Sequence, residues 1–393
     1  MPGQCSFMVK NNSRGMTSRY GIVLFGATGF TGRITAHYLS EHVAGEGISW
    51  AIAGRDRDKL KALADQLTRQ KPGIIVADTS DRTSLEGMTS QAVVVMNAVG
   101  PFNMYGKGVI EACLHTGTHY TDITGEPSFV AETYLACHEK AKEKNLCIVN
   151  CCGFDSIPAD YAAWLTAKKL PPELPKLLKA YIRTNATFSA GTFTTAVQAL
   201  YLESTGKTVK VKIKRHPDAP RQKLKIHFSK DIQAWAIPMP VVDPHIVRRS
   251  ISRLPEEYGE AVSYSQYFVR SSLGKVLKTV LPIGAAMFLV KFRRFRNWMF
   301  SRLQSGTGPS EERRANSRFE VICVGTAGSS TARTVISGGD PGYNETSKIF
   351  SQAAFTLLDK IKNHTVTYGV LTPVEAFGTD LVHRLCREGL SIE

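Results

Sequence analysis

Hydrophobic residues in the first 150 positions form short unbroken runs that alternate with longer stretches of mixed polarity. The unbroken runs predict strands at 20–25, 48–53, 73–78, 92–98, 119–123 and 146–150. The stretches between them predict helices at 58–69, 107–116 and 128–144, and one that places Phe30, Ile34 and Tyr38 on one face. Strands buried on both faces read as continuous β-branched runs. Because strands and helices alternate with short connections, the sequence predicts an α/β fold with a doubly wound parallel sheet.

The pattern changes after about residue 176, where strand-like segments replace this alternation. They begin at Lys176, Lys207 and Lys223. Lysines alternate with apolar residues at 210–214, which predicts a sheet with one basic, solvent-facing side. A helix is predicted at 189–201. Residues 1–17 are polar and lack the apolar core of a secretory signal, so a flexible leader is predicted there.

Three glycines spaced three apart, Gly26, Gly29 and Gly32, separate the first predicted strand from the first predicted helix. This position makes their spacing a variant of the dinucleotide-binding fingerprint. The first glycine permits a tight turn, and the others let backbone N–H groups approach a pyrophosphate at the helix start. A Walker loop is excluded because Arg33 and Ile34 stand where Lys and Ser/Thr are needed. A structural turn without a ligand is the alternative.

The end of the second predicted strand indicates which dinucleotide is bound. An NAD enzyme usually places Asp or Glu there, against the ribose 2′-hydroxyl. This chain has Gly54 and Arg55, with Lys59 close behind, and a guanidinium suits a 2′-phosphate. NADP(H) is therefore the predicted cofactor, although ordinary solvated charges at a helix start are an alternative. The predicted cofactor-binding residues are Gly26, Thr28, Gly29, Phe30, Thr31, Gly32, Arg55, Lys59, Asp78, Ala98 and Gly100.

Three side chains near the ends of later strands are candidate catalytic groups. Tyr105 follows the fourth strand, as a proton donor or as a cover for the cofactor. Asp122 ends the fifth strand and Asp155 follows the sixth, at the edge where open α/β sheets place their sites. Both carboxylates suit acid–base chemistry or substrate binding. A structural alternative is that Ser156 caps a helix and that Asp155 only supports this cap. No cluster of His, Cys and Asp has metal-ligand spacing, so no metal is predicted.

Composition adds a partner and a compartment to this picture. The chain has 49 basic and 34 acidic residues, a net charge of +15, which favours a negatively charged partner. Its eight cysteines contain no CxxC pair, and Cys151 and Cys152 are adjacent, which is poor geometry for a mutual disulfide. Reduced thiols in an intracellular compartment are therefore expected.

Residues 261–310 contain no Asp or Glu but eight basic residues. Within them, the twelve uncharged residues at 279–290 are too few for a membrane-spanning helix. Residues 291–300 then interleave basic and large aromatic side chains, which favours an anionic membrane or lipid droplet surface as a partner. A buried core helix with a basic end is the alternative. The chain has no recognised nucleic-acid-binding module, so nucleic acid is not the predicted partner.

Several motifs resemble those of the saccharopine dehydrogenase-like oxidoreductases, which include trans-acting enoyl reductases of actinobacterial lipid synthesis. They are "GATGFTG", "AGR", "NAVGPF", "GTHYTDITGE" (117–126), "CGFDSIPAD" (152–160), "DPGY" (340–343) and "GVLTPVEAFG" (369–378). The resemblance implies a Rossmann domain, an inserted α+β substrate domain and a C-terminal return. We place these at 18–155, at 156–345 with a basic apolar segment near 275–302, and at 346–393.

The resemblance also implies an intracellular nicotinamide-dependent reductase that is associated with lipid metabolism or lipid surfaces. The leading hypothesis is an NADP(H)-dependent reductase of a lipid-like or other small-molecule substrate at a membrane or lipid droplet surface. A second hypothesis is saccharopine reductase-type activity on an amino-acid conjugate, for whose carboxylates only Arg183 and Arg333 can be suggested. A third is a catalytically silent lipid-surface protein with a Rossmann fold. A homodimer is a further hypothesis.

Overall fold

The computed structural model describes residues 19–186, 208–238, 241–289, 292, 294–295 and 308–393. The predicted leader at 1–17, the predicted helix at 189–201 and most of the basic aromatic segment at 291–300 lie outside these residues.

The first half of the described chain alternates strands and helices. The elements are β1 (Tyr20–Phe25), α1 (Phe30–His42), β2 (Trp50–Gly54), α2 (Arg57–Gln66), β3 (Gly73–Val76), α3 (Arg82–Thr89), β4 (Ala92–Asn97), α4 (Phe102–Thr116), β5 (His119–Asp122), α5 (Pro127–Glu143), β6 (Cys147–Val149) and α6 (Ile157–Lys168). Every predicted strand and helix of this half is present, and α3 and α6 are additional.

The second half is richer in antiparallel strands. Its elements are β7 (Lys176–Thr184), β8 (His227–Ser229), β9 (Ala234–Pro238), α7 (Asp243–Arg253), α8 (Pro255–Tyr258), β10 (Val262–Arg270), α9 (Leu273–Leu289), α10 (Glu311–Ala315), β11 (Phe319–Ala327), β12 (Ser330–Gly338), α11 (Asn344–Lys362), β13 (Gly369–Leu371), α12 (Pro373–Arg387) and β14 (Ser391–Ile392).

The first sheet has seven strands in the order β13-β6-β5-β4-β1-β2-β3, and all its pairs are parallel. The predicted doubly wound parallel sheet is therefore confirmed. The strand order reverses between β1 and β4, where the turns that follow these two strands diverge to form a crevice. The strand at one edge of this first sheet, β13, comes from near the carboxyl end of the chain.

The second sheet has the order β14-β12-β11-β7-β10-β9-β8 and is mixed. Only β7 and β10 pair in parallel; the other described pairs are antiparallel. The prediction of a strand at 210–214 is wrong, because residues 208–226 contain no regular strand. Alternation of lysine and apolar residues specifies two faces, but a strand also needs a partner with free backbone groups. This segment instead lies across α5 and α7.

One hydrophobic core connects the two sheets. It contains Ile22 and Val94 of the first sheet and Leu178 and Val321 of the second, together with residues of α6 and α11. Helix α6 packs on β7, β11 and β12, and α11 packs on α1, β4 and β5. The carboxyl ends of the first sheet therefore face structure contributed by the second half of the chain.

Candidate active site

The glycine turn between β1 and α1 is a close backbone approach that only glycine allows. Gly26 has a φ of +86°, in the left-handed region. A Cβ on Gly32 would lie 2.1 Å from the carbonyl oxygen of Gly26. Any larger residue at position 32 would push α1 away from the turn. This arrangement fits the role that the spacing predicts for these residues.

The amino end of α1 has no side-chain cap. Its first residue outside the helix is Gly29, in extended conformation, and no side chain accepts the N–H groups of the first turn. Predicted residues Phe30, Thr31 and Gly32 occupy that turn. Uncapped N–H groups at a helix start attract a phosphate through hydrogen bonds and the helix dipole. The residues present thus fit a dinucleotide pyrophosphate.

The turns that follow β1 and β4 lie side by side where they border the crevice. A Cβ on Gly26 would lie 3.1 Å from the carbonyl carbon of Ala98 and 2.7 Å from a methyl group of Val99. The N–H of Ala98 donates to the carbonyl of Phe25 at 2.8 Å. Gly100 follows on the exposed side of this turn. The structure thus brings predicted residues Gly26, Ala98 and Gly100 together.

The side chain of Phe30 points towards the second half of the chain. Its ring lies edge-on to that of Tyr343 at 4.8 Å between centroids. A Cβ on Gly308 would lie 2.4 Å from the same ring. Any contact of Phe30 with the cofactor would therefore be made by its backbone.

Two predicted residues lie at the ends of β2 and β3. Arg55 follows β2 and is exposed. Hydrogen bonds from Ser80 lower the pKa of Asp78, and the positive charge of Arg55 lowers the pKa of Asp78 further. Arg55 and Asp78 are thus electrostatic neighbours.

Two further predicted cofactor-binding residues, Lys59 and Thr28, lie near Arg55, but only Lys59 is already paired with an acidic side chain. The ammonium of Lys59 pairs with Asp56 at 3.1 Å and is mostly exposed. Thr28 is half-buried, and a Cβ on Gly54 would lie 3.8 Å from its hydroxyl oxygen. Thr28 therefore lies beside the end of β2, next to Arg55.

Tyr105 lies in the first turn of α4 and is 38% exposed. The helix begins earlier than the sequence predicts because the buried carboxylate of Glu126 accepts its first N–H groups. Phe102 N and Asn103 N donate to the two oxygens of Glu126 at 2.7 and 2.9 Å. Glu126, in the loop after β5, therefore holds the first turn of α4 in place and with it Tyr105.

Asp122 is fully buried and its carboxylate is saturated with hydrogen bonds. One oxygen accepts from Thr124 N and Cys151 N at 3.0 Å each, and the other accepts from Asn150 Nδ2 at 2.7 Å. Burial raises the pKa of Asp122 to about 6, and these hydrogen bonds oppose that shift. Its contacts are those of a positioning residue that joins the loops after β5 and β6.

Asp155, by contrast, has an open carboxylate. The residue is exposed to solvent, yet the surrounding protein raises its pKa to about 6 by burial. A group that is both accessible and closely surrounded lies in a cleft. Among the described residues, none is hydrogen-bonded to this carboxylate. Ser156 precedes α6 and no side chain caps this helix; the Ser156 hydroxyl donates instead to the backbone oxygen of Asp155.

The wall of this cleft contains residues that sequence analysis missed. A Cβ on Gly125 would lie 2.9 Å from Oδ2 of Asp155. Burial raises the pKa of Asp243, the first residue of α7, and the negative charge of Asp155 adds to that shift. Gln266 Nε2 donates to Asp243 at 2.6 Å. An Asp that begins a helix carries no sequence signal for this role, because its neighbours come from distant segments.

The described part of the chain shows neither a metal site nor a membrane-spanning helix. Within it, no group of three His, Cys, Asp or Glu side chains is placed to hold a metal ion. None of the described helices is long and apolar enough to cross a membrane.

The sequence of this chain is similar to those of several known proteins. Residues 22–149 match the family described as the saccharopine dehydrogenase NADP binding domain, which confirms the NADP(H) prediction. A saccharopine dehydrogenase-like oxidoreductase of Bos taurus is 31% identical over 94% of this chain and 96% of its own. A protein of Mycobacterium tuberculosis named as a candidate trans-acting enoyl reductase is 31% identical over 95% of this chain and 97% of its own.

A solved structure shares the fold over the whole molecule. Apo histidine-tagged saccharopine dehydrogenase (L-Glu forming) from Saccharomyces cerevisiae superposes with a TM-score of 0.56 at 12% identity. The superposition covers 95% of this chain and 99% of that chain. At this identity the likeness shows a common two-domain architecture and nothing about substrate.

Proposed function

Because this chain belongs to the saccharopine dehydrogenase-like oxidoreductases, we propose that it is an NADP(H)-dependent reductase of a lipid-like substrate at an anionic membrane or lipid droplet surface. Family membership supports an NADP-dependent oxidoreductase. Asp155 supports the chemistry of the proposed reduction, and α9 supports the proposed surface.

The chemistry is supported by the open carboxylate of Asp155 in the cleft. NADPH, when bound, supplies a hydride. The glycine turn, the first turn of α1 and Arg55 would hold the cofactor, and Asp155 would hold the proton that completes a reduction. A pKa of about 6 leaves a fraction of this carboxyl protonated at neutral pH, which suits a general acid. Asp122 keeps the loops on both sides of the cleft in place.

The surface is supported by the single observation that carries the proposal, an apolar stripe on α9. Leu273, Leu277, Leu281 and Phe288 are all more than half exposed. Their spacings of four, four and seven residues place them on one face of the helix. Lys275 and Lys278 belong to the same helix, and residues 261–310 contain no acidic residue. An exposed apolar face with basic neighbours suits the interface of an anionic membrane.

The alternative substrate, an amino-acid conjugate with several carboxylates, is less well supported, because Arg183 and Arg333 are not placed to bind it together. Arg183 pairs with Glu320 at 2.9 Å. On β11, Glu320 lies opposite Arg183 and Val324 lies opposite Arg333. The two arginines are thus separated by about 13 Å along the strand direction. They do not converge on one ligand.

Flotation with liposomes tests whether the protein binds an anionic membrane through α9. We expect wild-type protein to float with vesicles that contain phosphatidylserine, and the double substitution Leu277→Ser and Leu281→Ser to reduce the bound fraction several-fold. A matched control replaces two exposed apolar residues elsewhere, Leu224→Ser and Ile226→Ser. Wild-type protein that stays in the soluble fraction, or an equal loss in both variants, would contradict the proposal.

A further inference from the structure

A groove of about 720 Å³ lies away from the cofactor turn, between α5, α7 and the extended segment at 210–214. Its lining includes Tyr134 and Leu135 of α5, Arg249, Ser252 and Arg253 of α7, and the alternating lysines 210, 212 and 214. Of the lining residues that the structure describes, five are basic and none is acidic. The volume is in the range of sites that hold small organic ligands.

The most unusual group in the groove is the guanidinium of Arg249. The residue is only 4% exposed, and its Nε and Nη2 have no hydrogen-bond partner in the part of the chain that the structure describes. The guanidinium lies over the ring of Tyr134, 5.0 Å from its centroid. A buried arginine normally pairs with an anion, because an uncompensated buried charge is strongly destabilising. Arg249 therefore has unused capacity to bind an anion.

The protein's own carboxylates do not use that capacity. Glu375 is the acidic residue with the largest influence on the pKa of Arg249, ahead of Asp160. However, Oε1 of Glu375 accepts from Arg253 at 3.1 Å, and Oε2 accepts from the N–H of Thr372 at 2.8 Å. Both oxygens are thus engaged elsewhere. Asp160 accepts from the N–H of Val374. Among the described residues, no carboxylate is hydrogen-bonded to the Nε or Nη2 of Arg249.

We propose that this groove binds a phosphorylated small molecule, with Arg249 as its anchor and the lysines around its phosphate oxygens. Arg249, Lys212 and Lys214 together bring three positive charges to the groove, and a phosphate ester or a diphosphate carries two or more negative charges. Guanidinium and ammonium groups both suit phosphate oxygens. The ring of Tyr134 and the exposed side chain of Leu135 offer apolar contact to the rest of the ligand. The site goes beyond the proposed reductase function and does not depend on it.

Inorganic pyrophosphate is the probe, and calorimetric titration measures its affinity. The protein is first saturated with NADP⁺, so that pyrophosphate cannot enter the dinucleotide site. We expect binding to the wild type and at least about tenfold weaker binding after Lys212→Ala with Lys214→Ala, because two charge-assisted contacts are lost. The matched control replaces two exposed lysines outside the groove, Lys223→Ala with Lys225→Ala, and should bind as the wild type does.

Arg249→Met separates a binding role from a structural one. Replacing a buried unpaired charge with an apolar side chain of similar length is neutral or stabilising. We therefore expect an unchanged or higher melting temperature without pyrophosphate, together with at least tenfold weaker pyrophosphate binding. A lower melting temperature with unchanged affinity would show that Arg249 is structural, and would overturn the proposal.

Vesicles that contain phosphatidate identify the source of the phosphate. Loss of pyrophosphate binding in the lysine double variant with unchanged vesicle binding assigns the groove to a soluble phosphorylated molecule. Loss of both assigns it to a phosphorylated headgroup. Pyrophosphate affinity that is the same in the wild type and in this variant, or absent from both, would overturn the proposal.

Discussion

At the scale of single residues, the candidate site separates carboxylates that hold the structure from one that is open to a ligand. Asp122 and Asp155 look alike in sequence, since each follows a strand of the same sheet. Asp122 is fully buried and receives three hydrogen bonds. Asp155 is exposed and its carboxylate receives none from the described residues. The difference arises from loops that are distant along the chain.

Chemical labelling checks the cleft position of Asp155. A water-soluble carbodiimide reacts with protonated, accessible carboxyl groups, so we expect labelling of Asp155 with a midpoint near pH 6. Bound NADP⁺ should protect it. Buried Asp122 and Asp243 serve as internal controls that stay unlabelled, as peptide mass spectrometry can show. Labelling of Asp155 that is indifferent to NADP⁺ would place it outside the cofactor cleft.

We expect Arg55 to set the preference for a 2′-phosphate. In Arg55→Ala we expect the Kd for NADPH to rise about tenfold, because a charge-assisted contact is lost, and the Kd for NADH to change little. Quenching of nucleotide fluorescence measures both constants. Lys59→Ala is the comparison, and we expect a smaller effect because its ammonium already pairs with Asp56. Equal losses for NADPH and NADH in Arg55→Ala would refute this role.

At the scale of elements, the sequence pattern locates part of α4 and the apolar run within α9, but not the residue at which either helix begins. The helix α4 was predicted at 107–116 but begins at Phe102, because Glu126 supplies a cap from another loop. The apolar run at 279–290 was recognised as too short to span a membrane. The structure extends its helix back to Leu273, which creates the exposed stripe. For α4 the local pattern identified a helix whose start depends on a contact outside the pattern, whereas for the run at 279–290 a helix was only the alternative reading.

Removal of the Glu126 cap should weaken α4. Glu126→Ala leaves the N–H groups of Phe102 and Asn103 without their acceptor in a buried place, so we expect the free energy of unfolding to fall by about 1–3 kcal/mol. Urea unfolding measures the loss, and hydrogen exchange should accelerate at these two amides. Glu132→Ala, an exposed position on α5, is the control. A loss of equal size in both variants would argue against a specific cap.

At the scale of the whole molecule, the core shared by the two sheets buries carboxyl groups near their junction. Asp160 of α6 is fully buried, and one of its oxygens accepts from Val374 N at 3.2 Å. Burial raises the pKa of Asp160 to about 7. The folded protein therefore holds a proton that the unfolded chain, with an ordinary Asp pKa near 4, has already released. The contribution to stability is full below about pH 4 and is lost as the pH rises towards 7.

The pH dependence of stability tests this burial. Between pH 5 and pH 7, Asp160 should cost the wild type on the order of 2 kcal/mol of unfolding free energy. Asp160→Asn keeps an acceptor for Val374 and removes the titration, so its loss over this interval should be smaller by that amount. Chemical unfolding at the two pH values provides the comparison, and the exposed Asp65→Asn is the control. Parallel pH profiles of wild type and Asp160→Asn would contradict the assignment.

The sequence by itself determined the first sheet, the glycine turn and the cofactor. These depend on local features: continuous apolar runs, glycines that permit close backbone approach, and Arg55 at the end of β2. Tertiary structure alone decided which carboxylate is open, where the segment at 210–214 lies, and that Arg249 is buried with two guanidinium nitrogens lacking a hydrogen-bond partner among the described residues. Burial and pairing depend on residues that are far apart along the chain, and no local pattern encodes them.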